Sequence, residues 1–136
     1  MGGEVVVRKP KIEYTRSREY RVLKTLTEEI LPGEPFIYLG RYSWLLSPKK
    51  EPLELDILFP NKPLAVEVEG EQHTRFSKIF FKQREDWAYY KECDHVKVAT
   101  CASYNLPLLI ISPEDKIDAA SLIARIEELI HANTAT

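Results

Sequence analysis

The sequence predicts a mixed α/β domain, and three observations support that prediction. Apolar side chains recur every three or four residues after Ser17 and again across 116–132, as they do on one face of a helix. Between these stretches lie four short segments rich in β-forming or continuously apolar residues. The 136 residues, of which 44% are hydrophobic, match the size and apolar content of one domain with a buried core.

The first half of the chain is predicted to form a helix followed by three strands. Residues 1–16 show no clear period and form either an arm or an edge strand. A helix starts near Ser17 and ends at "LPGEP". Its apolar stripe consists of Tyr20, Leu23, Leu26 and Ile30. The strand "FIYLGRYSWLL" follows, and "LELDILF" and "LAVEVE" then flank "PNKP", which predicts a β-hairpin.

The second half is predicted to form a loop, a helix, a strand and a last helix. Residues 71–83 are polar, basic and aromatic without a clean period, so we expect a loop that leads into a helix over about 84–104. The apolar run "NLPLLIIS" has the character of a buried strand. The last helix, over about 116–132, would place one apolar face inward: Ala119, Leu122, Ile123, Ile126, Leu129 and Ile130. A strand, a crossover helix and a second strand imply parallel pairing, so the sheet should be mixed, with helices on its faces.

Composition excludes several functional classes. The 19 basic and 21 acidic residues nearly balance, so any binding to nucleic acid must use local clusters. Cys93 and Cys101 show neither a disulfide framework nor a zinc-site spacing. The chain lacks a signal-type amino terminus and an apolar run long enough to cross a bilayer, so we expect a soluble intracellular protein, cytoplasmic or nucleoid-associated, without a membrane partner. Phosphate-loop, serine-hydrolase and zincin motifs are also missing.

The predicted hairpin concentrates acidic side chains on one face. If Phe59 faces Leu64 across the turn, Asp56 pairs with Glu67 and Glu54 pairs with Glu69. Like charges directly opposite each other cost a few tenths to ~1 kcal/mol per pair. A hard divalent cation such as Mg2+, which prefers carboxylate oxygens, would offset that cost. The alternative is an ordinary antiparallel hairpin with one solvated face.

The hairpin and the segment after it also carry a family resemblance. The run "LELDILF...LAVEVEGEQH" resembles the core of the PD-(D/E)XK nuclease superfamily, in the branch of small endonucleases similar to very-short-patch repair enzymes. The later segment "DHVKVATCASYNLPLLII" resembles the Asp-x-x-Lys helix and apolar strand of related proteins. The similarity extends from about Ser17 to Ser112. It implies a restriction-endonuclease-like fold, which is an α/β domain of three α/β/α layers with a central mixed β-sheet. Residues 1–136 would form a single domain of this fold, with a core at about 17–112.

The resemblance also implies roles for individual residues. Asp56 matches the motif aspartate and Glu67 the metal-binding acid, whereas Glu69 stands where the family usually has lysine. Gln72 and His73 are candidates for part of that lysine's role in positioning the attacking water. Glu19 resembles an acid that some members contribute to the metal from the first helix, and Glu28 and Glu29 are rivals for this assignment. The implied cofactor is Mg2+, or alternatively Mn2+, which activates water for phosphodiester hydrolysis.

Basic and aromatic residues after the hairpin suggest where nucleic acid would bind. Phe76, Phe80 and Phe81 alternate with a basic cluster that consists of Arg75, Lys78, Lys82 and Arg84. Such a segment can contact phosphates and stack bases, or the aromatics can belong to the core and the bases to a solvated face. Lys97 either reaches the active site or bridges to Asp94 along its helix, and the helical spacing favours the second.

The expected function is therefore a Mg2+-dependent DNA endonuclease of the nicking, repair or homing type. The expected substrate is duplex DNA, and cleavage of both strands by so small a domain needs a homodimer or successive nicks. One alternative is a binding module that keeps the nuclease fold without cutting. The other is a structural or regulatory protein whose acidic face is solvated.

Overall fold

A computed structural model describes residues 5–7, 18–70 and 84–134 of the chain. The helices and strands follow one another in the predicted order, and of the two alternatives for residues 1–16 an edge strand is found, at Val5–Val7. They are β1 (Val5–Val7), α1 (Arg18–Thr25) with a π-helical continuation (Leu26–Ile30), β2 (Ile37–Leu46), β3 (Pro52–Phe59), β4 (Leu64–Val68), α2 (Arg84–Ser103), β5 (Leu108–Ile111) and α3 (Ala119–Thr134).

The strands form one mixed five-stranded sheet in the order β1-β2-β3-β4-β5. The first four strands pair antiparallel, and β5 pairs parallel to β4 after the crossover through α2. Phe59 faces Leu64 across the β3–β4 turn, so the hairpin register inferred from alternation is confirmed. The meander followed by a parallel crossover, and hence the mixed α/β class, is confirmed as well.

Two hydrophobic clusters cover the two faces of the sheet. Because side chains alternate along a strand, Ile57 and Val66 lie on one face and Leu58 and Ala65 on the other. The first pair belongs to a cluster that includes residues of α1 and α3, and the second pair to a cluster that includes Cys101 of α2. The described helices therefore pack on both sides of the sheet.

Two helices differ in detail from the pattern-based prediction. The last turn of α1 widens into a π-helix, and the Leu31 N–H donates to the carbonyl of Leu26, five residues back. The inward face of α3 is narrower than its apolar pattern, because Ile123 and Ile130 are 38% and 43% exposed. The sequence pattern could not show that the sheet contacts only part of this apolar surface. No helix in the described ranges is both long and apolar enough to cross a membrane.

Candidate functional site

The acids Asp56 and Glu67 bridge the two strands of the hairpin. The β3–β4 ladder runs from Phe59–Leu64 to Ile57–Val66, and Asp56 and Glu67 follow at its end. The backbone N–H of Asp56 donates to Glu67 Oε2 at 2.8 Å, and the Val68 N–H donates to Asp56 Oδ2 at 2.8 Å. Each carboxylate thus bonds to the backbone of the opposite strand. Such charge-assisted bonds fix the positions of both acids and offset part of their repulsion.

Lys97 of α2 completes the arrangement around Glu67. Its Nζ donates to Glu67 Oε1 at 2.5 Å, and the two side chains are only 16% and 10% exposed. Burial acts to lower the pKa of Lys97, but the Glu67 carboxylate outweighs it and holds that pKa above its ordinary value. Of the two predicted alternatives for Lys97, the structure therefore shows the contact with the hairpin acids, while Asp94 pairs with Lys91 at 3.7 Å and its charge adds to the increase in the pKa of Lys97. The α2 crossover turns position 97 toward the sheet, which helical spacing alone does not reveal.

The first helix brings a third carboxylate to this place. Glu19 is in hydrogen-bonding contact with Asp56, whereas Glu28 and Glu29 are exposed, so the structure favours Glu19 among the three rivals. Burial raises the pKa of Glu19, and the charges of Glu54 and Glu67 add to the increase. Burial also raises the pKa of Asp56 well above its ordinary value, together with the charges of Glu67 and Glu19. Three acids therefore share one partly buried region.

These acids line a cleft of about 850 Å³ between the sheet and the part of α2 from Glu85 to Lys97. The described residues around it include twice as many carboxylates as basic groups. The carboxylates are Glu19, Glu54, Asp56, Glu67, Glu69, Glu85, Asp86 and Asp94, and the basic groups are Arg18, Arg41, Lys49 and Lys97. Such a surface repels phosphate unless cations are present. The three converging carboxylates supply the oxygen donors that Mg2+ prefers.

The cleft wall also contains residues that sequence patterns did not single out. Arg41, Lys49, Tyr89 and Tyr90 line it, and the Lys49 ammonium lies 4.4 Å from the centre of the Tyr89 ring. Leu39 lines the cleft as well, and its φ of 58° is a left-handed conformation that leucine rarely adopts. These residues come from different parts of the chain, so no local sequence motif predicts that they line the same cleft.

The remaining predicted site residues are only partly covered by the structure. Glu69 lines the cleft, and its backbone N–H donates to the carbonyl of Ile111 at 2.8 Å. Arg84 is exposed at the first residue of α2 and does not line the cleft. The others lie outside the described residues: Gln72, His73, Arg75, Lys78 and Lys82.

The described ranges contain no three acidic, histidine or cysteine side chains already gathered as a metal-binding set. The bonds from Lys97 and the Asp56 N–H engage both oxygens of Glu67. A cation that used these oxygens would therefore have to displace part of this network. Comparisons with protein-family models, with curated proteins and with solved structures give no significant match.

Proposed function

We propose that the chain is a metal-dependent endonuclease of restriction-endonuclease-like fold that hydrolyses phosphodiester bonds in DNA. The observation that carries the proposal is the partly buried, hydrogen-bonded cluster of Asp56, Glu67 and Lys97 at the end of the hairpin. It unites two carboxylates and a lysine, the side-chain types that this chemistry requires, although the lysine comes from α2 rather than from the strand position of Glu69.

In this proposal the carboxylates of Glu19, Asp56 and Glu67 would hold Mg2+ or Mn2+. The bound metal would lower the pKa of a water and stabilise charge on the scissile phosphate. Lys97 keeps its proton at neutral pH because its pKa is raised, so its role is to stabilise negative charge and orient the phosphate, not to accept a proton. Glu69 lines the same cleft and is our candidate for the proton acceptor. Gln72 and His73 remain candidates for positioning water or the leaving group.

A binding module without cleavage is the second candidate, because Glu69 stands at the strand position where the family usually has its lysine. The excess of carboxylates in the cleft means that such a module would need cations to bind DNA there. The third alternative, an acidic face that is merely solvated, does not explain why the Glu67 side chain is buried against Lys97.

Plasmid cleavage with Mg2+, Mn2+ or EDTA tests the proposal. Wild type is compared with Lys97→Met and with Lys91→Met, a matched control that removes the same charge from the same helix at a residue that does not line the main cleft. We expect metal-dependent nicking or linearisation that Lys97→Met abolishes and Lys91→Met retains. Circular dichroism must first show that both variants are folded.

The same proteins separate cleavage from binding alone. Ca2+ replaces Mg2+ in an equilibrium binding assay with duplex, single-stranded and branched DNA. Binding without cleavage under any metal would favour the binding module. Neither binding nor cleavage on any substrate would refute both nucleic-acid functions.

A further inference from the structure

Arg18 forms a long-range tether directly before Glu19. Its Nη2 donates to the carbonyl oxygens of Ser112 at 2.6 Å and Asp115 at 2.5 Å, in the loop that follows β5. These acceptors lie 94 and 97 residues away in the sequence. The start of α1 is therefore fixed to the loop between β5 and α3. The residue that makes this contact, Arg18, directly precedes Glu19, the acid that contacts Asp56.

The loop that receives Arg18 is itself held in place. The Ser112 N–H donates to Asp115 Oδ2 at 2.7 Å, and Arg125 of α3 donates to the same oxygen at 2.9 Å. Arg125 also donates to the carbonyl of Ile110 at 2.9 Å. Hydrogen bonding from the Ser112 backbone, aided by Arg125, lowers the pKa of Asp115, so its carboxylate stays ionised. The anchor for Arg18 is thus a cross-linked loop that does not rely on Arg18.

Repulsion between nearby carboxylates is the force that this tether would oppose. Glu19 is partly buried and in hydrogen-bonding contact with Asp56, while the charges of Glu54 and Glu67 repel its negative charge. A glutamate on the first turn of a short helix would relieve that repulsion by rotating toward solvent. An anchor on the neighbouring residue opposes this rotation.

We infer that Arg18 is a positioning residue that holds the Glu19 carboxylate against Asp56 by fixing the start of α1 to the β5–α3 loop. The inference rests on the proposed function, in which Glu19 is a metal ligand. Arg18 acts through the orientation of the helix and not by contacting the metal. Its chemistry suits this role, because one planar guanidinium can span two carbonyl oxygens.

Mn2+ titration of the folded full chain, without DNA, tests the inference. The variants are Arg18→Gln, Glu19→Gln and Arg125→Gln, the last a matched control that removes a guanidinium which contacts the same loop from α3. We expect Arg18→Gln to weaken Mn2+ binding about tenfold, as loss of an outer-shell partner typically does, and Glu19→Gln to weaken it at least as much. Arg125→Gln should stay within about twofold of wild type, and Arg18→Lys, which restores one cation, should recover part of the loss.

A metal-free melting series provides the independent readout. Glu19→Gln should raise the melting temperature in the wild-type and Arg125→Gln backgrounds, because it removes charge repulsion. The increment should be smaller in the Arg18→Gln background, where Glu19 has already turned away. Failure of wild type to bind Mn2+ would refute the metal site of the proposed function. The melting temperatures, which are measured without metal, would still show whether Arg18 holds Glu19 near Asp56.

Two results would overturn the inference. The first is an increase in melting temperature on Glu19→Gln that is as large in the Arg18→Gln background as in the wild-type background. The second is equal loss of Mn2+ affinity in Arg18→Gln and Arg125→Gln, which would assign the effect to general weakening of the loop.

Discussion

Replacement of Lys97 by methionine should destabilise the metal-free protein by about 3 kcal/mol, because it leaves Glu67 charged, buried and without its cation. Removing one partner of a buried ion pair typically costs 3–5 kcal/mol. The low end applies here, since the Lys97 side chain retains 16% exposure. Glu67→Gln should cost less, about 2 kcal/mol, because Lys97 still lies near the charge of Asp56.

The double variant Lys97→Met/Glu67→Gln should cost about 2 kcal/mol, no more than Glu67→Gln alone and less than Lys97→Met alone. Uncharged groups of similar volume can replace a buried ion pair at little cost, so the coupling energy should reach about 3 kcal/mol. Lys97 has a folded-state pKa above 10.5, so its stabilisation is fully present below pH 10.5 and is lost as the pH rises through the folded value.

Urea unfolding of the four proteins in EDTA at about pH 8 measures this coupling. The control is the corresponding cycle on Lys91 and Asp94, a more exposed pair at 3.7 Å, for which we expect less than about 1 kcal/mol. A coupling for Lys97 and Glu67 no larger than that of the control would refute the argument that this pair is a buried, specific contact.

Three further changes should have measurable effects. Asp56→Asn should raise the metal-free melting temperature at about pH 8 and eliminate Mg2+ stabilisation, which would otherwise be about 2.7 kcal/mol at 100 times the Kd. The folded-state pKa of Asp56 is raised above 3.8, so the destabilising effect of its charge disappears as the pH falls through the folded value toward 3.8. The melting temperatures of wild type and Asp56→Asn should therefore converge at low pH. Parallel melting profiles of the two proteins across this pH range would contradict the prediction. Gly40→Ala should cost about 1–3 kcal/mol in urea unfolding. The added Cβ would lie 2.5 Å from the hydroxyl of buried Tyr42, and unchanged stability would mean that this ring moves freely. Burial raises the pKa of Cys101 to about 11 and raises that of Cys93 as well, so iodoacetamide followed by mass spectrometry should find slow native labelling of Cys93 alone. Rapid native labelling of Cys101 would contradict its burial.

Local patterns were sufficient for the architecture because they depend on neighbouring residues. Alternation with a period of two fixed the faces of β4, and the short turn fixed the Phe59–Leu64 register, whereas Leu55 and Ile57 of β3 belong to clusters on opposite faces, which a strict alternation does not predict. That register was enough to bring Asp56 and Glu67 to the same place. The strand order followed because the long helical crossover requires a parallel partner.

The tertiary structure decided which helical residues reach the acids. Lys97 contacts Glu67 across 30 residues, and Arg18 contacts Ser112 across 94. Helical periodicity shows which residues share a face, but not which strand that face meets. Helical periodicity therefore favoured pairing of Lys97 along its own helix, and it did not decide between Glu19 and its rivals Glu28 and Glu29. The packing of α1 and α2 on opposite faces of the sheet resolved both questions, because only the assembled core sets the rotation of each helix.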